Sequence, residues 1–253
     1  MNAACYIFRQ LSTWTWERLK YAQSLGMSYG EETITEHNLL LLKRALRHQL
    51  TLQAFTHSQE ALNGADWEWW IGKPGRWYGM RVQAKRMYYP NENFPNLYSY
   101  KTKSAANTQI NTLIARAQAD NIDPVYCIYV GNPAAFNEGC QIACAHSVKT
   151  VNSIKYAALK PIFYPWQNLV CDHSGNTSPA DPATRAFRCI ASSMASAPRD
   201  GEDVERRQPT EPREALPSYL EKLRKTGADE ELENIAIEKD VQGFMILDLE
   251  DGE

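Results

Sequence analysis

The spacing of apolar residues along the chain predicts three helices. Residues 12–25 and 104–119 carry apolar side chains at the three- and four-residue intervals of a helix that buries one face. Between them, "EHNLLLLKRALRHQL" has a broader apolar stripe, with Thr33 or Thr35 as a candidate N-cap and basic residues near its end. We expect this middle helix to pack in the core.

Alternation with a period of two, together with short apolar runs, predicts the strands. "LTLQAFT" alternates in this way, and a reversal centred near Pro74 and Gly75 separates "ADWEWWI" from "WYGMRVQAKRMYY", which predicts a β-hairpin. Further along, "PVYCIYV" predicts a buried strand and "GCQIACAHSVKTV" a short helix. The order of these elements predicts an α/β fold.

Composition divides the chain near residue 189. We interpret residues 1–189 as one α/β domain and residues 190–253 as an acidic linker and tail, because residues 199–253 hold 8 Lys and Arg against 17 Asp and Glu. The tail contains "LPSYLEKLRKTG", typical of a short capped helix, and "GFMILDLED", which either adds a strand or docks on a partner. The rest is expected to be flexible and solvated, or to cover a basic face of the domain.

The same composition argues against a membrane protein and a secreted disulfide scaffold. The longest uniformly apolar run, Leu39 to Leu42, is far shorter than a membrane span, and the first ten residues lack the pattern of a secretory signal. Six cysteines at irregular spacings do not form the framework of a small secreted domain. We therefore expect reduced cysteines, a cytoplasmic location and no membrane partner.

The hairpin carries polar side chains where core packing favours apolar ones. Asp66 and Glu68 share one side of the first strand, and Gln83 and Lys85 share one side of the second. A reversal near Pro74 places position 66 opposite residue 83 or 85, and directly opposed residues point to the same face. Two acids, an amide and an ammonium group are therefore expected to converge.

This set of groups suits metal-dependent hydrolysis of a phosphodiester bond. Mg²⁺, or Mn²⁺ in its place, prefers oxygen ligands, so we expect Asp66 as the main ligand, with Gln83 and the carbonyl of Ala84 as weaker ones. Lys85 is the expected catalytic cation, and Glu68 a supporting carboxylate or a ligand of a second metal ion. The residues leave one alternative open: a solvated hairpin face with an Asp66 to Lys85 ion pair, worth at most about 1 kcal/mol.

"GAD" followed by "VQAKR" resembles the PD-(D/E)XK nuclease superfamily, and most of all the Mrr-type restriction endonucleases, which use Gln in the (E/Q)-x-K tripeptide. The resemblance covers roughly residues 31–130. It implies a central mixed sheet flanked by helices, a helix before a β-meander, and a helix carboxylate supplied by Glu36, with Glu32 as competitor. It also implies cleavage of DNA more than RNA, in bacterial defence or restriction.

Other candidate residues follow from charge and aromaticity. Basic side chains near the hairpin are candidate phosphate contacts, namely Arg81, Arg86, Lys101 and Lys103. The hairpin aromatics are candidate stacking platforms, although we expect half or more to be core; they are Trp67, Trp69, Trp70, Trp77, Tyr78, Tyr88 and Tyr89. Zinc is not expected, because the spacings of the candidate ligands match no familiar module; these are Cys140, Cys144, His146, Cys171 and His173.

Two expectations about assembly remain open at this stage. An enzyme that cuts both strands of DNA often works as a dimer, so a homodimer is possible, and an enzyme that is silent alone would need an activating protein partner. The alternative function is a catalytically degenerate nucleic-acid-binding or protein-interaction module on the same fold.

Overall fold

The computed structural model describes residues 3–55, 67–98, 108–132, 139–171 and 210–249. The helices in these ranges are α1 (Ala3–Ser24), α2 (Glu31–Ala45), α3 (Gln109–Ala119), α4 (Ala145–Val151), α5 (Tyr156–Leu159), α6 (Ser218–Thr226) and α7 (Glu230–Lys239). The strands are β1 (Leu50–Ala54), β2 (Trp67–Lys73), β3 (Arg76–Arg86), β4 (Asp123–Tyr129), β5 (Cys140–Cys144), β6 (Tyr164–Pro165) and β7 (Gly243–Asp248).

The strands form one mixed sheet in the order β1-β7-β2-β3-β4-β5-β6. β7 runs parallel to β2, and β3 runs parallel to β4, while the other neighbouring pairs are antiparallel. This sheet with helices on its faces confirms the predicted α/β class.

Each face of the sheet is buried under helices. On the first face, α1 and α2 pack against the side chains of Trp67, Trp69, Val82 and Ala84. On the second face, α3 to α7 pack against side chains that include Trp70. Both sides of the central strands are therefore apolar environments, in which a polar side chain needs a specific partner.

The C-terminal region is part of this sheet, so the boundary near residue 189 and the tail predicted over 190–253 are wrong for residues 210–249. β7 lies between β1 and β2, and its Phe244 and Met245 point into the second- and first-face cores respectively. A side chain at Gly243 would collide with the carbonyl oxygen of Gln53 and the ring of Trp67, so this insertion requires glycine. Of the two roles left open for "GFMILDLED", the structure shows the added strand, and α6 confirms the predicted short helix.

The order from α2 to β4 follows the prediction, but the expected β-meander is interrupted. β1 is antiparallel to β7 and does not pair with β2. The reason is hydrophobic: β7 is buried on both faces, as central strands are, and fills the place beside β2 that the meander would have given to β1.

Three local predictions are also corrected. α1 begins at Ala3 and α2 at Glu31, each earlier than predicted, and the N-cap of α2 is Gly30 with no side-chain cap. Residues 140–144, predicted as the beginning of a helix, form strand β5, and the helix α4 follows it.

Cys5 and Cys171 form a disulfide, with their Cα atoms 4.8 Å apart, so the prediction of reduced cysteines is wrong for this pair. The bond joins α1 to a residue 166 positions away in the sequence. The spacing of the cysteines along the chain does not predict a contact between such distant residues. The remaining described cysteines, Cys127, Cys140 and Cys144, are buried thiols. Among the described residues, no helix is both long and apolar enough to cross a membrane.

The chain re-enters the described structure at Thr210, next to the beginning of β4. The hydroxyl of Thr210 donates to Asp123 Oδ1 at 2.7 Å, and its N–H donates to the same oxygen at 3.3 Å. Burial raises the pKa of Asp123 to about 6, against the lowering effect of the two hydrogen bonds. This contact anchors the C-terminal region to the sheet.

Candidate functional site

The hairpin of β2 and β3 has the predicted turn. Lys73 pairs with Arg76 across it, and Trp67 pairs with Val82 at the other end of the described ladder. β3 continues to Arg86, four residues beyond Val82. Asp66 lies outside the described residues, so its convergence with Gln83 and Lys85 stays a prediction.

Gln83 and Lys85 share the second face of the sheet, as predicted. Their partners on the parallel strand β4 are Tyr126 and Ile128, which belong to the second-face core. Gln83 is 1% exposed and Lys85 is 6% exposed. An amide and an ammonium group are thus buried together at the carboxyl end of a core strand, where desolvation is costly.

The amide oxygen of Gln83 has no hydrogen-bond partner within the described part of the chain. A second buried carboxamide oxygen without one, that of Gln109, lies at the start of α3 on the same face. α3 leads through a short turn into Asp123 at the start of β4, so over its length of about 16 Å it runs back toward the Lys85 end of β3. From the sequence alone, Gln109 early in this helix is as readily exposed to solvent as directed at the site, and its burial is the signal that the structure adds.

Glu68 has other partners than a metal ion in this structure. It is fully buried, and its Oε1 accepts hydrogen bonds from Trp70 Nε1 at 2.7 Å and from the Tyr219 hydroxyl at 2.5 Å. Lys239 Nζ lies 3.5 Å from its Oε2. Burial raises the pKa of Tyr219, which keeps this hydroxyl protonated as a donor. The carboxylate predicted as a catalytic group thus joins the hairpin to α6 and α7.

Arg81 belongs to the same polar cluster, and its prediction as a phosphate contact is wrong. Its side chain is 1% exposed, and Nη1 lies 3.1 Å from Asp120 Oδ2. Nη2 donates to the carbonyl oxygens of Lys239 and Asp240 at the end of α7. Burial lowers the pKa of Arg81, while the neighbouring Asp120 opposes this effect. The guanidinium group makes its contacts within the fold and does not reach solvent.

The structure does not bring Glu36 or Glu32 to Gln83 and Lys85. Both are exposed on α2, which packs on the first face, on the other side of the sheet. The acid of this helix that reaches the hairpin is Glu31, whose Oε1 accepts a hydrogen bond from the N–H of Arg86 at 3.1 Å. The earlier start of α2 explains the difference, since it changes which acid lies beside the end of β3.

The other predicted residues are distributed as follows. The side chain of Ala84 points into the first-face core, and the binding of a metal ion by its carbonyl stays a prediction. Arg86 Nη1 donates to the carbonyl oxygen of Tyr29 at 2.7 Å. Lys101 and Lys103 lie outside the described residues.

Of the hairpin aromatics, Tyr88 and Tyr89 are exposed, and those buried are Trp67, Trp69, Trp70, Trp77 and Tyr78. This confirms that half or more are core.

The residues weighed as zinc ligands do not come together in the described structure. Cys171 is in the disulfide, and His173 lies outside the described ranges. Burial raises the pKa of Cys140 and raises that of Cys144 to about 11, which keeps both thiols protonated at neutral pH. No group of three or more His, Cys, Asp or Glu side chains in the described ranges is placed to hold a metal ion.

Comparison with known proteins gives a family but no activity. No curated protein matches the chain. The model of DUF6615, described as a family of unknown function, matches residues 4–251. This match runs from α1 through β7 and so includes every strand of the sheet. The chain therefore belongs to the DUF6615 family.

Proposed function

We propose that this protein is a metal-dependent nuclease that hydrolyses phosphodiester bonds, in DNA more than in RNA, with Gln83, Lys85 and Asp66 at its active site. One observation carries the proposal. A buried lysine, Lys85, lies on the same face of β3 as a buried carboxamide, that of Gln83, whose oxygen has no partner in the described structure. Both lie at the end of the hairpin strand that resembles the (E/Q)-x-K segment of PD-(D/E)XK nucleases. A role in bacterial defence, a cytoplasmic location and a homodimer remain part of this proposal.

The residues present fit a hard divalent cation. A buried carboxamide oxygen without a partner costs about 1–3 kcal/mol, and this cost is removed when the oxygen binds a ligand. Gln83 and Gln109 each have such an oxygen on the second face of the sheet. Mg²⁺ and Mn²⁺ prefer oxygen ligands, and one carboxylate with neutral oxygens and water is sufficient. The proposal assigns that carboxylate to Asp66, which directly precedes β2 in the chain.

The side chains then have separate tasks. A bound cation supplies a water of lowered pKa and neutralises charge on the phosphate. Lys85 holds the attacking water and offsets the negative charge that develops on the phosphate oxygens. Gln83 and Gln109 hold their oxygens in fixed positions, because both are anchored on rigid elements. The apolar side chains of the second face limit competing water around the ammonium group and so strengthen its electrostatic effect.

One observation favours the second candidate, a catalytically degenerate binding module. The acids expected to support Asp66 have other surroundings: Glu68 Oε1 is bonded to Tyr219 and Trp70, and Glu36 is on the other side of the sheet. A nuclease of this type would therefore depend on a single carboxylate from the predicted set. Such a module would bind nucleic acid or a protein without cleavage.

The test is cleavage of plasmid DNA, linear DNA and RNA by the purified protein with Mg²⁺, Mn²⁺ or EDTA. We expect metal-dependent cutting that falls at least about 100-fold in Asp66→Ala and in Lys85→Ala, since each removes a group that acts on the reacting phosphate. Lys73→Ala, which removes a lysine at the turn of the same hairpin, is the matched control and should cut normally.

Undiminished cutting by Lys85→Ala would contradict the proposed site. A folded wild-type protein that binds nucleic acid and cuts none of the three substrates would instead support the binding module.

A further inference from the structure

The residues that come after Lys85 in the sequence form a second surface, next to the candidate site in the chain. β3 ends at Arg86, and the next residues form a turn in which Tyr88 and Asn93 pair through their backbones. Asn93 also pairs with Lys155, which comes from the segment between α4 and α5. This pairing places Lys155 beside the turn, a proximity of residues more than sixty positions apart. We define the aromatic–basic ledge as Arg86, Tyr88, Tyr89 and Lys155.

The ledge exposes two neighbouring aromatic side chains. Tyr88 is 38% exposed and Tyr89 is 50% exposed, whereas the five other hairpin aromatics are buried. The guanidinium of Arg86 lies 4.3 Å from the centre of the Tyr88 ring, which is cation–π distance. This contact holds one ring in place and puts positive charge beside it.

Charge on the ledge favours an anionic ligand. Lys155 is exposed, whereas Arg86 is partly buried, and its Nη1 donates to the carbonyl oxygen of Tyr29 at 2.7 Å. The neighbouring acids are directed at protein donors: Glu31 Oε1 accepts from the N–H of Arg86, and Glu92 Oε1 accepts from Asn132 Nδ2 at 2.9 Å. Lys155 is thus the cation of the ledge that faces solvent beside the tyrosines, while Arg86 holds the Tyr88 ring.

We propose that the aromatic–basic ledge binds single-stranded nucleic acid, with bases stacked on Tyr88 and Tyr89 and a phosphate paired with Lys155. Stacking on aromatic rings next to basic side chains is the general means by which proteins hold unpaired strands. Tyr88 follows Lys85 by three residues, a distance of about 10 Å along an extended chain. It lies two residues beyond the end of β3, at the same end of the strand as Lys85.

If the ledge holds the substrate of an enzyme, this inference rests on the proposed nuclease function. A strand held on the ledge would enter the site containing Gln83 and Lys85 from the carboxyl end of β3. The substrate class is therefore nucleic acid with unpaired bases near the cleaved bond, such as a single strand, a flap or an opened duplex. A fully paired duplex offers no base faces to the two tyrosines.

The test is fluorescence anisotropy with a labelled oligothymidine and a labelled duplex, in EDTA so that no cleavage occurs. We expect Tyr88→Ala with Tyr89→Ala to weaken oligothymidine binding by roughly 10-fold or more, while the Phe substitutions at both positions retain affinity. Lys155→Ala should reduce the dependence of binding on salt by about one phosphate contact. Tyr6→Ala is the matched control, since Tyr6 is an equally exposed tyrosine near the start of α1.

Unchanged oligothymidine affinity in the double alanine variant would overturn the inference, as would an equal loss in Tyr6→Ala. Wild-type protein that binds the duplex more tightly than oligothymidine would also overturn it. These outcomes are independent of cleavage: loss of binding in the double variant supports the ledge even if the wild type never cuts. Conversely, a wild type that cuts plasmid through Lys85, with normal binding in the double variant, retains the nuclease and overturns the ledge.

Discussion

At the scale of single residues, Gln83 is the position where stability and proposed function conflict. Its amide oxygen is buried without a partner in the described structure, an arrangement that destabilises a fold unless a ligand compensates. Functional sites commonly retain such groups at a cost in stability. This conflict can be measured.

We expect Mn²⁺ to raise the melting temperature of the wild type, and we expect Gln83→Met to stabilise the metal-free protein by about 1–2 kcal/mol and to abolish that rise. Thermal unfolding with and without Mn²⁺ measures both effects. Gln167→Met is the control, because Gln167 also has a buried carboxamide oxygen without a partner but lies on a 3₁₀ turn outside the candidate site. It should stabilise the protein and leave the Mn²⁺ effect intact; an Mn²⁺ effect that survives in Gln83→Met would count against Gln83 as a ligand.

Asp123 gives a prediction about pH. Its folded-state pKa of about 6 lies above the ordinary value of 3.8, so between these values the folded state binds more protons than the unfolded state. The contribution of Asp123 to stability is therefore greatest below pH 4 and is lost as pH rises through 6, by on the order of 2–3 kcal/mol. Urea unfolding of wild type and Asp123→Asn at several pH values should show this fall only in the wild type. Parallel pH profiles for the two proteins would refute it.

At the scale of elements, the cluster around Glu68 joins the hairpin to the C-terminal helices. Glu68→Ala leaves the Tyr219 hydroxyl and the Trp70 N–H without their shared acceptor and removes the ion pair with Lys239, so we expect a loss of about 3 kcal/mol in the free energy of unfolding. A double-mutant cycle with Tyr219→Phe should give a coupling of at least about 1 kcal/mol. Glu36→Ala, at an exposed acid, should change stability by less than about 0.5 kcal/mol. A similarly small effect of Glu68→Ala would show that the cluster does not hold these elements together.

The elements also show which parts of the fold and site are readable from sequence. The hairpin was predicted because its turn residues and alternation are local, and the shared face of Gln83 and Lys85 follows from their spacing of two. The burial of Arg81 was not predictable, because its partners Asp120 and Lys239 come from distant segments. Glu36 was misassigned because α2 begins at Glu31, before both predicted caps, so that Glu31 and not Glu36 lies beside the strand.

At the scale of the whole molecule, the composition of the C-terminal region concealed its place in the fold. The acids of α7 are exposed, namely Glu230, Glu231, Glu233 and Glu238, while Leu220, Leu223 and Leu232 are buried. The net charge of the C-terminal region reflects its exposed side chains, whereas its few apolar residues determine where the region packs. The pairing of β7 with β2 joins residues more than 170 positions apart, and neither a local period nor a turn signal records such a contact.

The central position of β7 has a consequence for biosynthesis. A ribosome releases β1 and β2 long before β7, so during translation these two strands have no neighbour between them and expose unpaired edges to other chains. The sheet closes only after Gly243–Asp248 has emerged, so the final folding step of the sheet waits for the synthesis of β7. A message truncated before the codon for Gly243 would yield a chain that lacks a central strand of its sheet, and we expect quality-control proteases to degrade it.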